Sequence, residues 1–447
     1  MCRYVSPRRA PWSSAATALA ALLICSSARP LGLAAQEPDS SAVSADSLAE
    51  RLRRAEEAIE LLRRQLASQA ESEVRTASRV QLEVFGRVLL NSYHNSGRAN
   101  LVDNPQFVLP DGSSPLEPGS FGVAIRQTLA GGAVSVSDVA GGTLMGDLVI
   151  DLFGAAQSNP SRSFPQLRLR TARAILAWDR AEILAGQENP LFMGLNPVGL
   201  AAVGTPAFVG AGNLWLWLPQ LRLSGDVGDR IRLGLQAAVL APASGEPAGA
   251  ADPDPADLAE RTGRPFLEGR LRLRWGEHET AGEIGVAGHL GWYAAQGTGV
   301  PIGPEYEHLR SEGISVDARV PLTRQVELRG EVYRGKLLRG LGGGAIGQNF
   351  GMADAAGERR IILDTGGWAQ LVVRPHTLWE IGAGVGIDDP DDDDRPLRRR
   401  NTAWAAHVAV RPAGPIVAAL EYRRMETTYD AGEFANDHLN LALGFEF

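Results

Sequence analysis

The chain has 447 residues, of which 44% are hydrophobic and 21% are charged, and its formal charge is −8. This length allows one large domain or a few small ones, and the acidic balance argues against a general nucleic-acid binder. The only cysteines are Cys2 and Cys25, so a mature chain that has lost both contains no disulfide, no cysteine metal site and no thiol catalyst.

Residues 1–35 are predicted to be a secretory signal peptide. Early arginines precede the apolar stretch "AATALAALLIC" (15–25), and "LGLAAQ" (31–36) supplies small residues for cleavage after Ala35. A lipoprotein signal that uses Cys25 is the alternative, although the residue before it is not the small one expected. The apolar stretch is too short to span a bilayer, so the sequence predicts export.

Residues 36–79 are predicted to form a short periplasmic coiled coil. Ser47 and Glu50 make a capping-box pattern. Apolar residues then follow in steps of four and three, which predicts an oligomer seam of Leu48, Leu52, Ala55, Ile59, Leu62 and Leu66. So short a helix is marginal alone, and we therefore expect a homotrimer, with a dimer left open by these residues. A lone amphipathic helix packed on its own domain is the alternative.

Between residues 80 and 447, apolar and polar residues alternate with a period of two. Sixteen such segments can be marked, beginning with 80–93 and 121–131 and ending with 438–447. Most have the roughly 9–11 residues that a tilted strand needs to cross a bilayer. The predicted fold is therefore all-β, a 16-stranded antiparallel transmembrane β-barrel preceded by the coiled coil, with the last strand pairing with the first.

The connections give an independent test of this fold. Towards the C-terminus long and short connections alternate, as they do in outer-membrane barrels but not in a β-sandwich. "DAGEFAND" (430–437) is predicted to be long, and 132–142 is the exception, because it exceeds the short turn expected there. Aromatic residues near strand ends are predicted to form interface girdles: Trp275, Trp292, Trp368, Trp379, Trp404, Tyr422 and Phe447.

Several short segments add a family resemblance. They are "IRQTLAGG" (125–132), "GDLVIDLFG" (146–154), "AEILAGQENPLF" (181–192), "LPQLRL" (218–223) and "WAQLVVRP" (368–375). With the order of signal, coiled coil and barrel, the chain resembles trimeric outer-membrane porins with an N-terminal coiled coil, the DcaP-like dicarboxylate-type porins, and more distantly the phosphate-selective porins.

The resemblance covers most of residues 80–447 and implies sixteen strands, a trimer and a location in the bacterial outer membrane. It also implies that Leu443, Phe445 and Phe447 form the signal read by the barrel-insertion machinery. In "IRQTLAGG", Thr and Ala stand where a Ser-Arg-Leu-like run is expected, so no substrate is carried over from the family.

Strand parity predicts which charges face the pore. The inward arginines would be Arg87, Arg126, Arg168, Arg170, Arg222, Arg232, Arg270, Arg272, Arg274 and Arg319. A basic strip on one wall concentrates anions, so we expect a porin for passive diffusion of small hydrophilic, anionic solutes. The alternative is that these arginines only neutralise facing acids and stiffen the wall.

Two connections have unusual compositions. Residues 190–213 are long, apolar and Gly-rich, so we expect them to fold into the lumen as a constriction, with packing at a trimer interface as the alternative. The Asp-rich stretch 388–400 suggests calcium, but it lacks the glycine and spacing of an EF-hand loop, and we expect a solvated extracellular loop.

Catalytic motifs are missing from the sequence. It contains no HExxH, no G-x-S-x-G and no P-loop, and we expect neither an enzyme nor a bound cofactor or metal. Two alternatives stay open: a lipase- or protease-like barrel whose catalytic groups lie far apart in sequence, and a non-conducting barrel that serves as an adhesin or structural anchor.

Overall fold

The computed structural model describes residues 80–113, 117–154, 164–247, 256–277, 280–301 and 308–447. The predicted signal peptide (1–35) and coiled coil (36–79) lie outside these residues. In the part of the chain that is described, no helix is long and apolar enough to span a membrane.

The described chain forms one antiparallel sheet of seventeen strands that closes on itself. The strands are β1 Val80–Asn95, β2 Ser120–Ala124, β3 Leu129–Val139, β4 Gly142–Asp151, β5 Arg168–Ala177, β6 Ala181–Glu188, β7 Leu218–Val227, β8 Ile231–Leu240, β9 Phe266–Trp275, β10 Gly282–Ala294, β11 His308–Pro321, β12 Val326–Lys336, β13 Leu363–His376, β14 Trp379–Pro390, β15 Arg400–Val410, β16 Ile416–Tyr429 and β17 Gly432–Glu446. β3 and β2 pair one after the other along β1, so the barrel has sixteen strand positions, and the predicted barrel is confirmed.

Closure comes from the pairing of β1 with β17. The register runs from Arg87 opposite Glu446 to Asn95 opposite His438. The seam leaves neither strand with a free edge along this stretch, and a free edge could not be satisfied in hydrocarbon.

The second strand position differs from the predicted 121–131. β2 ends at Ala124, the backbone turns where Thr128 N donates to Ile125 O, and β3 then continues to Val139. The predicted long connection at 132–142 is therefore wrong, because the turn is only Ala140 and Gly141, both with left-handed φ angles. The glycines and serines of β3 hide its alternation in the sequence.

The prediction of a long connection at "DAGEFAND" is also wrong. β16 and β17 pair as far as Tyr429 opposite Gly432, which leaves a two-residue turn. The two strands continue beyond the part of the barrel whose outward side chains are apolar. In this extension the outward side chains are polar and form ion pairs, as Arg424 does with Asp437 at 3.2 Å.

The register separates an apolar outer face from an inner face. On β17, Leu439, Leu441, Leu443 and Phe445 are 42–47% exposed, whereas the alternating His438 and Asn440 are 0% exposed. Most of the predicted girdle residues lie on the outer face, but the prediction is wrong for Trp368. It is opposite Glu331 and Gly386 on the inner face, and its ring stacks on Phe208 at 6.1 Å.

Candidate pore and its constriction

The connection between β6 and β7, residues 189–217, folds into the barrel. Inward side chains from distant strands hold its main chain. Phe192 N donates to Glu268 Oε2 at 3.1 Å, Leu195 N donates to Glu331, and Val198 exchanges two 2.8 Å bonds with the Gln370 amide. These bonds attach the connection to β9, β12 and β13.

The same connection then reaches the opposite wall. Gln127 Oε1 accepts from the backbone N–H groups of Val203 and Gly204 at 2.8 and 2.6 Å. Arg170 donates to Val203 O at 2.8 Å, and Arg168 donates to Gly204 O. Residues 190–213 therefore lie in the lumen, as the sequence predicted for a constriction.

Glycine permits the close approach that this path requires. Gly212 has φ +88°, and a Cβ at this position would lie 2.2 Å from the backbone nitrogen of Gly367 on β13. Gly210 also adopts a left-handed φ, +77°. The Gly-rich composition is thus a packing requirement of the internal loop.

A second segment, residues 98–110 after β1, also fills the outer part of the lumen. Asp103 forms a buried 2.8 Å ion pair with Arg126, and Asn104 accepts from Arg423 at 3.0 Å. Arg126 is therefore directed inward but has no exposed surface. Nothing in the alternation of the strands signals this segment, and the sequence analysis did not single it out.

The other nine predicted arginines lie on the inner face of their strands. Asp151 pairs with both Arg168 and Arg170, at 2.7 and 3.6 Å. Further ion pairs join Arg87 to Glu446, Arg270 to Glu283 and Asp317, and Arg272 and Arg274 to Asp226. Part of the arginine set therefore does neutralise facing acids, as the alternative interpretation held.

Three of the predicted arginines differ from the rest. Within the described residues, Arg222, Arg232 and Arg319 have no ion pair; Arg222 donates to Gln220 and to Asn189 O, and Arg232 to Asp229 O. The charges nearest in effect to Arg222 are those of Glu268 and Glu182, followed by those of Arg173 and Arg270. Asp151 and Asp226 each pair with two arginines, whereas Arg270 pairs with two acids. The ion pairs among the described residues thus leave Arg222, Arg232 and Arg319 without a carboxylate partner.

Arg173 is an inward arginine that the sequence analysis missed. Its Nε lies 2.6 Å from Asp147 Oδ2, and it also pairs with Glu188. The register between β4 and β5 shifts at Val149 and Ile150. This bulge brings both Arg170 and Arg173 inside, whereas strict alternation would point Arg173 outward.

At the end of the barrel that carries the short turns, inward arginines surround an open cavity of about 690 Å³. Its lining includes Arg232, Arg274 and Arg319 with Glu283, and Arg230 from the turn between β7 and β8. Arg232 and Arg319, which form no ion pair with a described residue, thus both line this end of the lumen.

Comparison with known proteins agrees with this geometry. No family model matches the sequence, and no curated protein matches it. Solved structures do match. The outer membrane channel DcaP of Acinetobacter baumannii has a TM-score of 0.64 at 15% identity, over 84% of this chain and 100% of that chain. The chain has a porin fold.

Two further porins share this fold at lower similarity. Salmonella typhi OmpF in complex with daunomycin has a TM-score of 0.53 at 10% identity, over 84% of this chain and 100% of that chain. The anion-selective porin from Comamonas acidovorans has a TM-score of 0.50 at 12% identity, over 82% and 100%. The resemblance seen in the sequence is thus confirmed at the level of the fold.

Inside this porin fold, one side-chain network has the order of a hydrolytic triad. His289 Nδ1 lies 3.0 Å from Glu268 Oε1, and its Nε2 lies 3.1 Å from Ser311 Oγ. All three side chains are buried, and the Ser311 hydroxyl also donates to Leu337 O at 2.9 Å. Phe192 and Phe266 pack against the imidazole in T-shaped pairs, with ring centroids 5.8 and 5.0 Å from that of His289. Because these side chains are buried and Glu268 also accepts from Phe192 N, the network anchors the constriction loop to the barrel wall.

We predict that Glu268→Ala lowers the free energy of unfolding by about 1–3 kcal/mol, because it leaves the Phe192 N–H and the His289 ring without a buried acceptor. Denaturant titration followed by tryptophan fluorescence would measure the change. Glu433→Ala, at the exposed start of β17, is the control. Equal midpoints for the two variants would contradict the anchoring role.

Proposed function

We propose that the protein is an outer-membrane porin, a water-filled channel for passive diffusion of small hydrophilic solutes that favours anions. The observation that carries the proposal is the set of Arg222, Arg232 and Arg319, inward cations without ion pairs in the described part of a closed barrel that an internal loop narrows. Such charges raise the local anion concentration in a pore. The Comamonas neighbour is itself described as anion-selective, which agrees with the proposal.

We also propose a homotrimer. The barrel wall is shorter on one side. There β4 ends at Asp151, opposite Leu129, whereas β1 continues to Asn95. Beside this shorter wall, β2 presents Phe121 at 71% exposure, and on its far edge it pairs with no described strand. Neighbouring copies would cover such an edge, which is costly in lipid. The seam residues Leu48 to Leu66 would hold the copies together in the periplasm.

We also propose that the outer face and the end of the chain contact lipid and the barrel-insertion machinery. The exposed leucines and valines of the outer face would meet outer-membrane lipid, and Leu443, Phe445 and Phe447 on and beside β17 would be read by the barrel-insertion machinery. An adhesin or anchor with the same barrel would not conduct, so conductance of the purified protein separates these alternatives.

We predict that the wild-type protein in planar bilayers gives reversal potentials of an anion-preferring channel. The triple variant Arg222→Gln, Arg232→Gln, Arg319→Gln should lower the anion-to-cation permeability ratio by at least about twofold, because it removes the unpaired charges. The control removes the same charge from the outer face, with Arg310→Gln, Arg334→Gln and Arg424→Gln. Cation selectivity of the wild type, or equal ratios for the two variants, would overturn the preference.

A further inference from the structure

A separate cavity of about 470 Å³ lies at the loop end of the barrel, above the constriction. It is built from the connections after β1, β6, β8, β12 and β14, and its lining is Asn100, Gln106, Phe107, Val209, Gly210, Trp215, Gly245, Arg339, Gly342, Gly343, Ile346, Gly347 and Arg398. The volume falls in the range of small-molecule sites, which are mostly apolar with a few polar groups.

One charge in this cavity is not compensated. Arg339 Nη1 lies 3.2 Å from Glu246 Oε1 and is therefore balanced. Arg398 donates through Nε to Ile346 O at 3.0 Å but forms no ion pair with a carboxylate in the described structure. Burial lowers the pKa of the Arg398 guanidinium, which marks it as a poorly hydrated cation. The charge balance therefore suits a ligand with a single negative charge.

Two aromatic side chains give the cavity its apolar character. The Arg398 guanidinium carbon lies 4.4 Å from the centroid of the Phe107 ring. Trp215 packs edge-on against Trp217, with ring centroids 5.1 Å apart. A flat ring beside these side chains would gain stacking or edge contacts while its acid group meets Arg398.

Trp215 also connects the cavity to the constriction. Arg168 lies 5.3 Å from the rings of both Trp215 and Trp217, and Arg170 lies 4.7 Å from Trp217. Both arginines donate to the constriction loop. The side chains of Trp215, Arg168 and Arg170 therefore join the wall of the cavity to the constriction loop.

We propose that this outer cavity is a binding site for an aromatic monocarboxylate, held by Arg398 through its acid group and by Phe107 and Trp215 through its ring. The inference deepens the proposed function, because it assigns the anion porin a solute class and an entry site. It does not require conduction in order to be tested.

Binding is measured by titrating benzoate into the purified full-length protein in detergent, with calorimetry and tryptophan fluorescence. Cyclohexanecarboxylate is the comparison ligand, since it has the same charge and a similar size but no aromatic ring. The variants are Arg398→Gln and Phe107→Leu. Arg360→Gln is the control, because Arg360 is exposed on the same rim and donates to Asp393 O without lining the cavity.

We expect saturable benzoate binding that is weakened about tenfold by Arg398→Gln and about threefold by Phe107→Leu, with no change for Arg360→Gln. Cyclohexanecarboxylate should bind more weakly than benzoate to the wild type and should be little affected by Phe107→Leu. Equal affinities of wild type and Arg398→Gln, or of the two acids, would overturn the inference. Anion-selective conductance without benzoate binding would refute this site alone, whereas benzoate binding without conductance would refute the porin function alone.

Discussion

Replacing residues 195–211 by a Gly-Ser linker is expected to raise the single-channel conductance several-fold. These residues occupy the lumen and are attached to the wall by Gln370 and Gln127 on opposite sides. Because conductance through a water-filled pore depends on its narrowest section, removing the internal loop should widen the path. Single-channel recording in planar bilayers measures the effect.

The control for this replacement shortens a turn outside the lumen. Residues 354–357 form an exposed turn closed by Asp354 N and Glu358 O at 2.8 Å, and their removal should leave the conductance unchanged. Heat-modifiable migration on a gel would show that both barrels are folded. A folded barrel that lacks the internal loop but keeps wild-type conductance would show that the loop does not limit the pore.

The fold was predictable where bulky residues alternate. In β9, Leu267, Leu271 and Leu273 face outward and the arginines between them face inward, so period and parity suffice. In β3, the glycines and serines carry little contrast between the faces, and the strand was placed too early. The shift at Val149 and Ile150 is a backbone irregularity without a side-chain signature, which is why Arg173 was missed.

The sequence predicted which side chains face the lumen, but it did not predict what those side chains contact there. Parity assigns Arg126 and Trp368 to positions along the chain, whereas their surroundings come from connections that fold back inside. Asp103 pairs with Arg126 across 23 residues, and Phe208 covers Trp368 from the constriction loop. Such contacts depend on loop paths, which no local period encodes. The composition of 190–213 was informative only because an apolar, Gly-rich loop suits burial.

The seam between β1 and the end of β17 gives the second large expected effect. Gly86 and Phe447 exchange two backbone hydrogen bonds, at 2.9 and 3.0 Å. The Phe447 ring lies against Gly86, where an added Cβ would come within 2.8 Å of Phe447 Cζ, and it lies 5.9 Å from the Phe445 ring. Residue 447 thus contributes both a backbone pair that closes the barrel and an aromatic side chain at its rim.

Deletion of Phe447 should sharply reduce the amount of folded barrel in the outer membrane while leaving secretion intact, because it removes the backbone pair and the ring together. Phe447→Ala keeps the backbone pair and separates the two contributions. A comparable loss for Phe447→Ala is expected if the ring belongs to the insertion signal, whereas a loss confined to the deletion would assign the effect to closure. Phe434→Ala, near the opposite end of β17, is the matched control. Membrane fractionation with heat-modifiable migration reports the folded amount, and normal assembly of the deletion variant would contradict both roles.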